Sequence, residues 1–113
     1  MRDQLKDADR LAHIIEAIEN VNAFMKDKSP EDLQGNKLLY YAVVKNIEIV
    51  GEAAYKLTVE FKENHPEIPW RLIEKMRHIM VHGYYKISIP ILYNVYTEDL
   101  PMLESFVKNL NED

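Results

Sequence analysis

Apolar residues recur at intervals of three and four along most of the chain, the period of helices that bury one face. Leu5, Ala8, Leu11, Ile15, Ile18, Val21 and Met25 form one such stripe and predict a first helix from about Asp3 to Lys26. The most regular stripe is Leu39, Val43, Ile47, Val50, Ala54, Leu57 and Phe61, with gaps of 4, 4, 3, 4, 3 and 4. It predicts a long helix from near Asn36 that ends before His65-Pro66, because the residue ahead of proline avoids the α region. Between these two, Ser29-Pro30-Glu31-Asp32 combines an N-cap residue, a first-position proline and first-turn acids, and Gly35 closes that short turn. Pro66-Glu67-Ile68-Pro69-Trp70 reads as a rigid turn that starts a third helix, which runs to about His82 and is stopped by Gly83. A fourth helix from about Ser88 should kink or restart at Pro101 and end near Leu110. The fold class expected is all-α: an antiparallel helical bundle of four to five helices.

Two helices of about 25 residues would each span roughly 35–40 Å, longer than a compact domain of this size needs. Long paired helices in a small chain leave an apolar face uncovered, so a homodimer is expected. The 113 residues suffice for one domain, and no repeat, low-complexity tract or linker divides residues 1–113. Cysteine is absent, which excludes disulfides and thiolate metal sites and fits a reducing compartment. No apolar run reaches membrane-span length and the charged opening Met1-Arg2-Asp3 does not read as a signal peptide, so a cytoplasmic protein without a membrane partner is expected.

The net charge of −5 argues against a general nucleic-acid coat. Charge is uneven, however. Between Glu67 and Lys86, four basic residues (Arg71, Lys75, Arg77, Lys86) stand against Glu67 and Glu74, a net of +2 that leaves −7 for the remainder. A modest positive site on an acidic body suits selective contact with RNA or a nucleotide.

That positive stretch contains Arg77-His78-Ile79-Met80-Val81-His82-Gly83-Tyr84-Tyr85: one permanent cation, two imidazoles and two phenols. Arginine holds a phosphate with a planar fork of donors, and histidine moves protons near neutral pH. Each residue also has a plainer use. Arg77 or His82 near a helix C-terminus can simply complement the dipole. His78 and His82, four apart, could be two zinc ligands, although His13 and His65 lie elsewhere and no cysteine completes a set. Tyr84 and Tyr85 by default are partly buried aromatics with a wet hydroxyl. Arg71, Lys75, His78 and His82 fall at steps of 4, 3 and 4 and share a helix face, while Arg77 lies about 140° from His82. Either the helix unwinds before His82, or Arg77 and His82 meet across a symmetric interface.

Gly51 interrupts a helix interior at a cost of roughly 1 kcal/mol relative to alanine, which points to a close helix crossing. Glu52 beside it then either faces the Arg–His segment and pairs with Arg77 or a histidine, or is a solvated carboxylate.

Arg77-His78-Ile79-Met80-Val81-His82-Gly83-Tyr84 resembles the Arg, four residues, His, any residue, Tyr motif of the HEPN family, in its HepT-like toxin branch. Val50-Gly51-Glu52-Ala53, Pro66-Glu67-Ile68-Pro69-Trp70 and Asp99-Leu100-Pro101 resemble that branch in order and spacing, so the likeness covers essentially the whole chain. The resemblance implies a helical bundle that dimerises with two Arg–His motifs meeting in a cleft. It implies RNA cleavage without a metal or other cofactor, and a toxin role opposed by a minimal nucleotidyltransferase antitoxin. It marks Tyr84 as similar to the tyrosine that this antitoxin modifies by adding AMP. The residue after the motif arginine is commonly Asn in the branch and is His78 in this chain, which leaves the role of that position open.

The residues suit this chemistry. Without a metal, the RNA 2′-OH attacks its own phosphate, His82 serves as general base or acid, and Arg77 binds the phosphate and stabilises developing charge. His78 could orient Arg77 or supply a second proton-transfer group. Two other readings compete: a non-catalytic HEPN nucleotide-binding or scaffolding partner of a nucleotidyltransferase, and a plain helical dimerisation module. The last has no need of Arg77, His82 and Tyr84 together.

Overall fold

The computed structural model describes residues 2–110, with side chains from Lys6 onward; Leu5 of the first stripe lies outside that range. The described residues are mainly helical and contain no strand. Helix α1 spans Arg2–Met25, α2 Pro30–Gly35, α3 Lys37–Tyr55, α4 Val59–Asn64 and α5 Trp70–His82. Helix α6, Ile89–Asn94, passes through a π-helical turn at Val95–Asp99 into α7, Leu100–Leu110.

Helix α3 is the central element, packed on α1 along one side and α5 along another. Asn20 Nδ2 donates to Asn46 Oδ1 (3.1 Å), and the Thr58 amide and hydroxyl donate to the Asp7 carboxylate (2.9 and 2.7 Å). Late residues of α1 thus meet the middle of α3, and early ones its far end, so the two helices are antiparallel. Contacts of Tyr40 with Tyr84 and of Glu52 with Arg77 give the same sense for α3 and α5. The predicted α3 stripe is buried from Leu39 through Leu57, in one core with Ile14, Ile18, Ile73, Met76, Met80, Leu92, Leu100 and Leu103. Each such side chain contributes about 1.5–3 kcal/mol by leaving water.

Local signals set most boundaries. Ser29 and Asp32 form a reciprocal capping box at α2, with Pro30 at the first position. The Asn36 side chain accepts from the Leu39 amide and opens α3. Three expectations need correction. The long second helix is two helices: the chain leaves helical geometry after Tyr55, and Thr58 caps α4 through its hydroxyl while Asp7 takes its amide. Helix α3 is accordingly 19 residues long rather than about 25. In α1 the buried face runs through Asp7, Ile14, Ala17, Ile18, Val21 and Met25, leaving Ala8 exposed and Leu11 and Ile15 only partly covered. The irregularity expected at Pro101 lies one turn upstream. A proline ring clashes with the carbonyl four residues back, and the chain widens there, so that the Leu100 amide bonds to Val95 O.

Candidate functional site

The site begins with a missing side chain. A Cβ added at Gly51 would lie 2.5 Å from Arg77 Cβ and 2.9 Å from Arg77 Cα and N, so α5 rests directly on the α3 backbone at this point. This is the close crossing that the interior glycine predicts. The next residue, Glu52, accepts a hydrogen bond from Arg77 Nε across the contact. Lys56, one turn on, stands 3.4 Å from the other carboxylate oxygen. The Arg77 bond, aided by Lys56 and opposed by partial burial, holds the Glu52 carboxyl below its ordinary value of 4.5. The Tyr55 ring lies beneath the guanidinium, 5.5 Å from Arg77 Cζ, within cation–π range. Both partners remain open to solvent, with side chains 38% and 36% exposed. Glu52 engages Nε, and the terminal Nη groups of Arg77 make no hydrogen bond among the described residues, which leaves them as donors for an anion.

His82 is the last residue of α5, and the Gly83 amide bonds back to Ile79 O at 2.8 Å. The helix does not unwind before His82, which removes one of the two ways by which Arg77 and His82 could meet. A regular helix keeps them about 140° apart, and their partners differ. Arg77 is bound by Glu52, whereas the His82 ring lies against His78, 4.5 Å between centroids. His78 is thus set beside His82, while Arg77 is held by Glu52. Among the described residues, no three His, Cys, Asp or Glu side chains converge as metal ligands.

Beyond Gly83 the chain turns through Tyr84 and Tyr85, and Tyr40 of α3 fixes this turn. Its hydroxyl donates to Tyr84 O (2.7 Å) and accepts from the Ile87 amide (3.1 Å). The Tyr84 side chain is half exposed and sits 6.3 Å from the Tyr41 ring. Tyr41, Val44, Lys45, Glu48, Met80, Val81 and Tyr84 line an open groove of about 310 Å³ between α3 and α5.

The fold thus joins Arg77 with Glu52, joins His82 with His78, and places Tyr84 beside Tyr41, without joining these three groups in one copy. The sequence reading missed Tyr40, Tyr41, Tyr55 and Lys56. Only Tyr55 and Lys56 carried a signal, at three and four residues after Glu52 on the same helix face.

The family described as Ribonuclease HepT-like matches residues 14–110, a span that includes every residue of this site. The chain belongs to the HepT-like ribonuclease family. It is 36% identical over 104 residues to a protein of Thermococcus cleftensis named "Probable ribonuclease HepT", covering 92% of this chain and 94% of that one. It is 33% identical over 98 residues to a Methanocaldococcus jannaschii protein named as a candidate RNase, covering 87% and 90% respectively. A second protein of that organism, named as a gamma-glutamylcyclotransferase and candidate RNase, is 35% identical over 103 residues. That match takes in 91% of this HepT-like chain but only 46% of the relative. No solved structure matches the chain significantly.

Proposed function

We propose that this HepT-like protein is a metal-independent endoribonuclease toxin that cleaves RNA with Arg77 and His82 in a cleft between two copies of the chain. A minimal nucleotidyltransferase neutralises it by adding AMP to Tyr84. One helical domain over residues 1–113 acts in the cytoplasm. The observation that carries this reading is the tether on Arg77: Glu52 fixes the guanidinium by Nε and leaves its outer donors for a phosphate.

Arg77 and His82 diverge on a regular α5, so one copy alone offers the phosphate contact and the proton-transfer group on different sides. A two-fold pairing would set the His82 of one copy against the Arg77 of the other. Exposed Leu38, Tyr41 and Ile79 supply apolar surface for such a pairing. In the cleft His82 takes the proton of the 2′-OH, the 2′ oxygen attacks the adjacent phosphorus, and the 5′ oxygen leaves with a proton from the partner's His82. The products are a cyclic phosphate and a free 5′-hydroxyl. Arg77 binds the charge that builds on the phosphoryl oxygens. His78 acts through the His82 ring that it touches. AMP on the exposed Tyr84 ring would put negative charge and bulk where an RNA phosphate must sit.

A second reading, a non-catalytic nucleotide-binding or scaffolding partner of a nucleotidyltransferase, draws on the net charge of −5, since RNA binding gains from positive surface. Purified wild type, His82→Ala and Arg77→Ala incubated with RNA separate the two. The ribonuclease reading expects each variant to keep its fold and to lose on the order of 10²–10⁴-fold in rate. Full activity in either variant rejects the assignment. Intact mass after co-expression with the nucleotidyltransferase should show AMP on wild type and none on Tyr84→Phe.

A further inference from the structure

We infer that the outward face of α5 is a track for the RNA backbone. Arg71 and Lys75 are its phosphate contacts, and Tyr85 beyond His82 is a platform for one unpaired base. This deepens the ribonuclease reading by giving that site its approach, and it rests on that reading for the chemistry at His82.

Arg71, Lys75, His78 and His82 are all exposed and recur at steps of four, three and four, directly opposite the buried Ile73, Met76 and Met80. The eleven-residue rise from first to last is about 16 Å. The helix carries two other charged side chains, and each is ion-paired within the fold. Glu74 accepts from Lys62 at 2.9 Å, and Arg77 donates to Glu52. Neither Arg71 nor Lys75 forms an ion pair among the described residues. Elsewhere on the described surface Lys45, Lys56 and Lys108 have a carboxylate within one turn, and the unpaired Lys26, Lys28 and Lys37 share no helix face with a histidine row. The α5 face sets its two unpaired cations in one row with His82.

Past His82 the surface turns aromatic. Tyr85 is 65% exposed, with the Lys86 ammonium 5.6 Å from its ring centroid and Tyr84 edge-on at 5.7 Å. A cationic row that ends in an exposed ring and a lysine matches how proteins hold single strands, by charge along the backbone and stacking under the bases. Bases paired in a duplex have no free face for such a ring, so the strand at Tyr85 is unpaired.

The test is binding of a fluorescein-labelled single-stranded oligoribonucleotide, made uncleavable by 2′-O-methyl sugars, across a salt series. Wild type, R71A/K75A, Tyr85→Ala and K26A/K28A are compared. The last removes two exposed lysines beyond α1 and changes the net charge equally. We expect R71A/K75A to bind severalfold to tenfold more weakly and to lose about 1.4 from the log–log salt slope, roughly 0.7 per phosphate contact on a single strand. Tyr85→Ala should weaken binding about tenfold with an unchanged slope. K26A/K28A should keep the wild-type slope. On a cleavable strand, R71A/K75A should raise KM more than it lowers kcat. Wild-type affinity and slope in R71A/K75A overturn the track, as does an equal loss in K26A/K28A, which would assign the effect to overall charge. Wild-type affinity in Tyr85→Ala overturns the platform. Absence of cleavage by the wild type would reject the ribonuclease reading, and the binding slopes would still decide the track.

Discussion

Glu52 holds Arg77 where α5 rests on the α3 backbone, one residue beyond the glycine that the Arg77 backbone meets. Helix spacing and guanidinium position are therefore set by consecutive residues of one helix. A change at either acts on the same arginine by a different physical route.

Gly51→Ala should destabilise the protein by about 1–3 kcal/mol, because the new methyl meets Arg77 backbone and Cβ rather than the end of a flexible chain. Helix propensity alone would give the opposite sign, by up to about 1 kcal/mol. Gly35→Ala is the control, since a Cβ there meets nothing within 4 Å. Urea denaturation should show a loss at position 51 and none at 35.

Glu52→Gln removes the charge while keeping the shape. The folded carboxyl lies below its ordinary value of 4.5, so its contribution to stability is fully present above that value. It is lost as pH falls through the lowered folded value. Both partners are more than a third exposed, which limits the effect to under about 1 kcal/mol. Stability curves of wild type and variant should differ slightly at neutral pH and merge in strong acid. A gap that persists in acid would contradict the pairing.

Asp99 should behave in the opposite sense. Burial, with Glu98 beside it, raises its carboxyl above the ordinary 3.8. Stability linked to its protonated form is present below that value and is lost as pH rises through the raised folded one. Asp99→Asn should therefore raise Tm at neutral pH and have less effect in acid. A lower Tm at neutral pH would show that the charge is compensated.

Tyr40→Phe deletes one hydroxyl that serves both sides of the turn after His82. We expect a loss of about 1–2 kcal/mol, and faster hydrogen exchange at the Ile87 amide, which loses its acceptor. Unchanged protection at Ile87 would show that the turn is held by something else.

The helix limits were legible wherever a short-range group settles them. Ser29 and Asp32 cap α2 within one turn, the Pro66–Pro69 segment precedes α5, and Gly83 follows its last residue. The break after Tyr55 was not legible, since apolar spacing continues through Leu57 to Phe61 as though one helix ran on. Asp7, more than fifty residues away, takes the Thr58 amide, and no local pattern carries that bond. The Gly51 crossing and the two alternatives for Glu52 were readable, but the choice of Arg77 as partner was not.

By itself the sequence determined the helical period, most caps and stops, and the residues able to do acid–base and phosphate chemistry, because these depend on neighbours within about one turn. Tertiary structure alone decided that Glu52 takes Arg77, that Tyr55 lies beneath it and that Tyr40 ties down the Tyr84 turn. The physical reason is reach. A side-chain pair is fixed by how closely two helices approach and how they are rotated, and those quantities come from the packing of the whole core around α3.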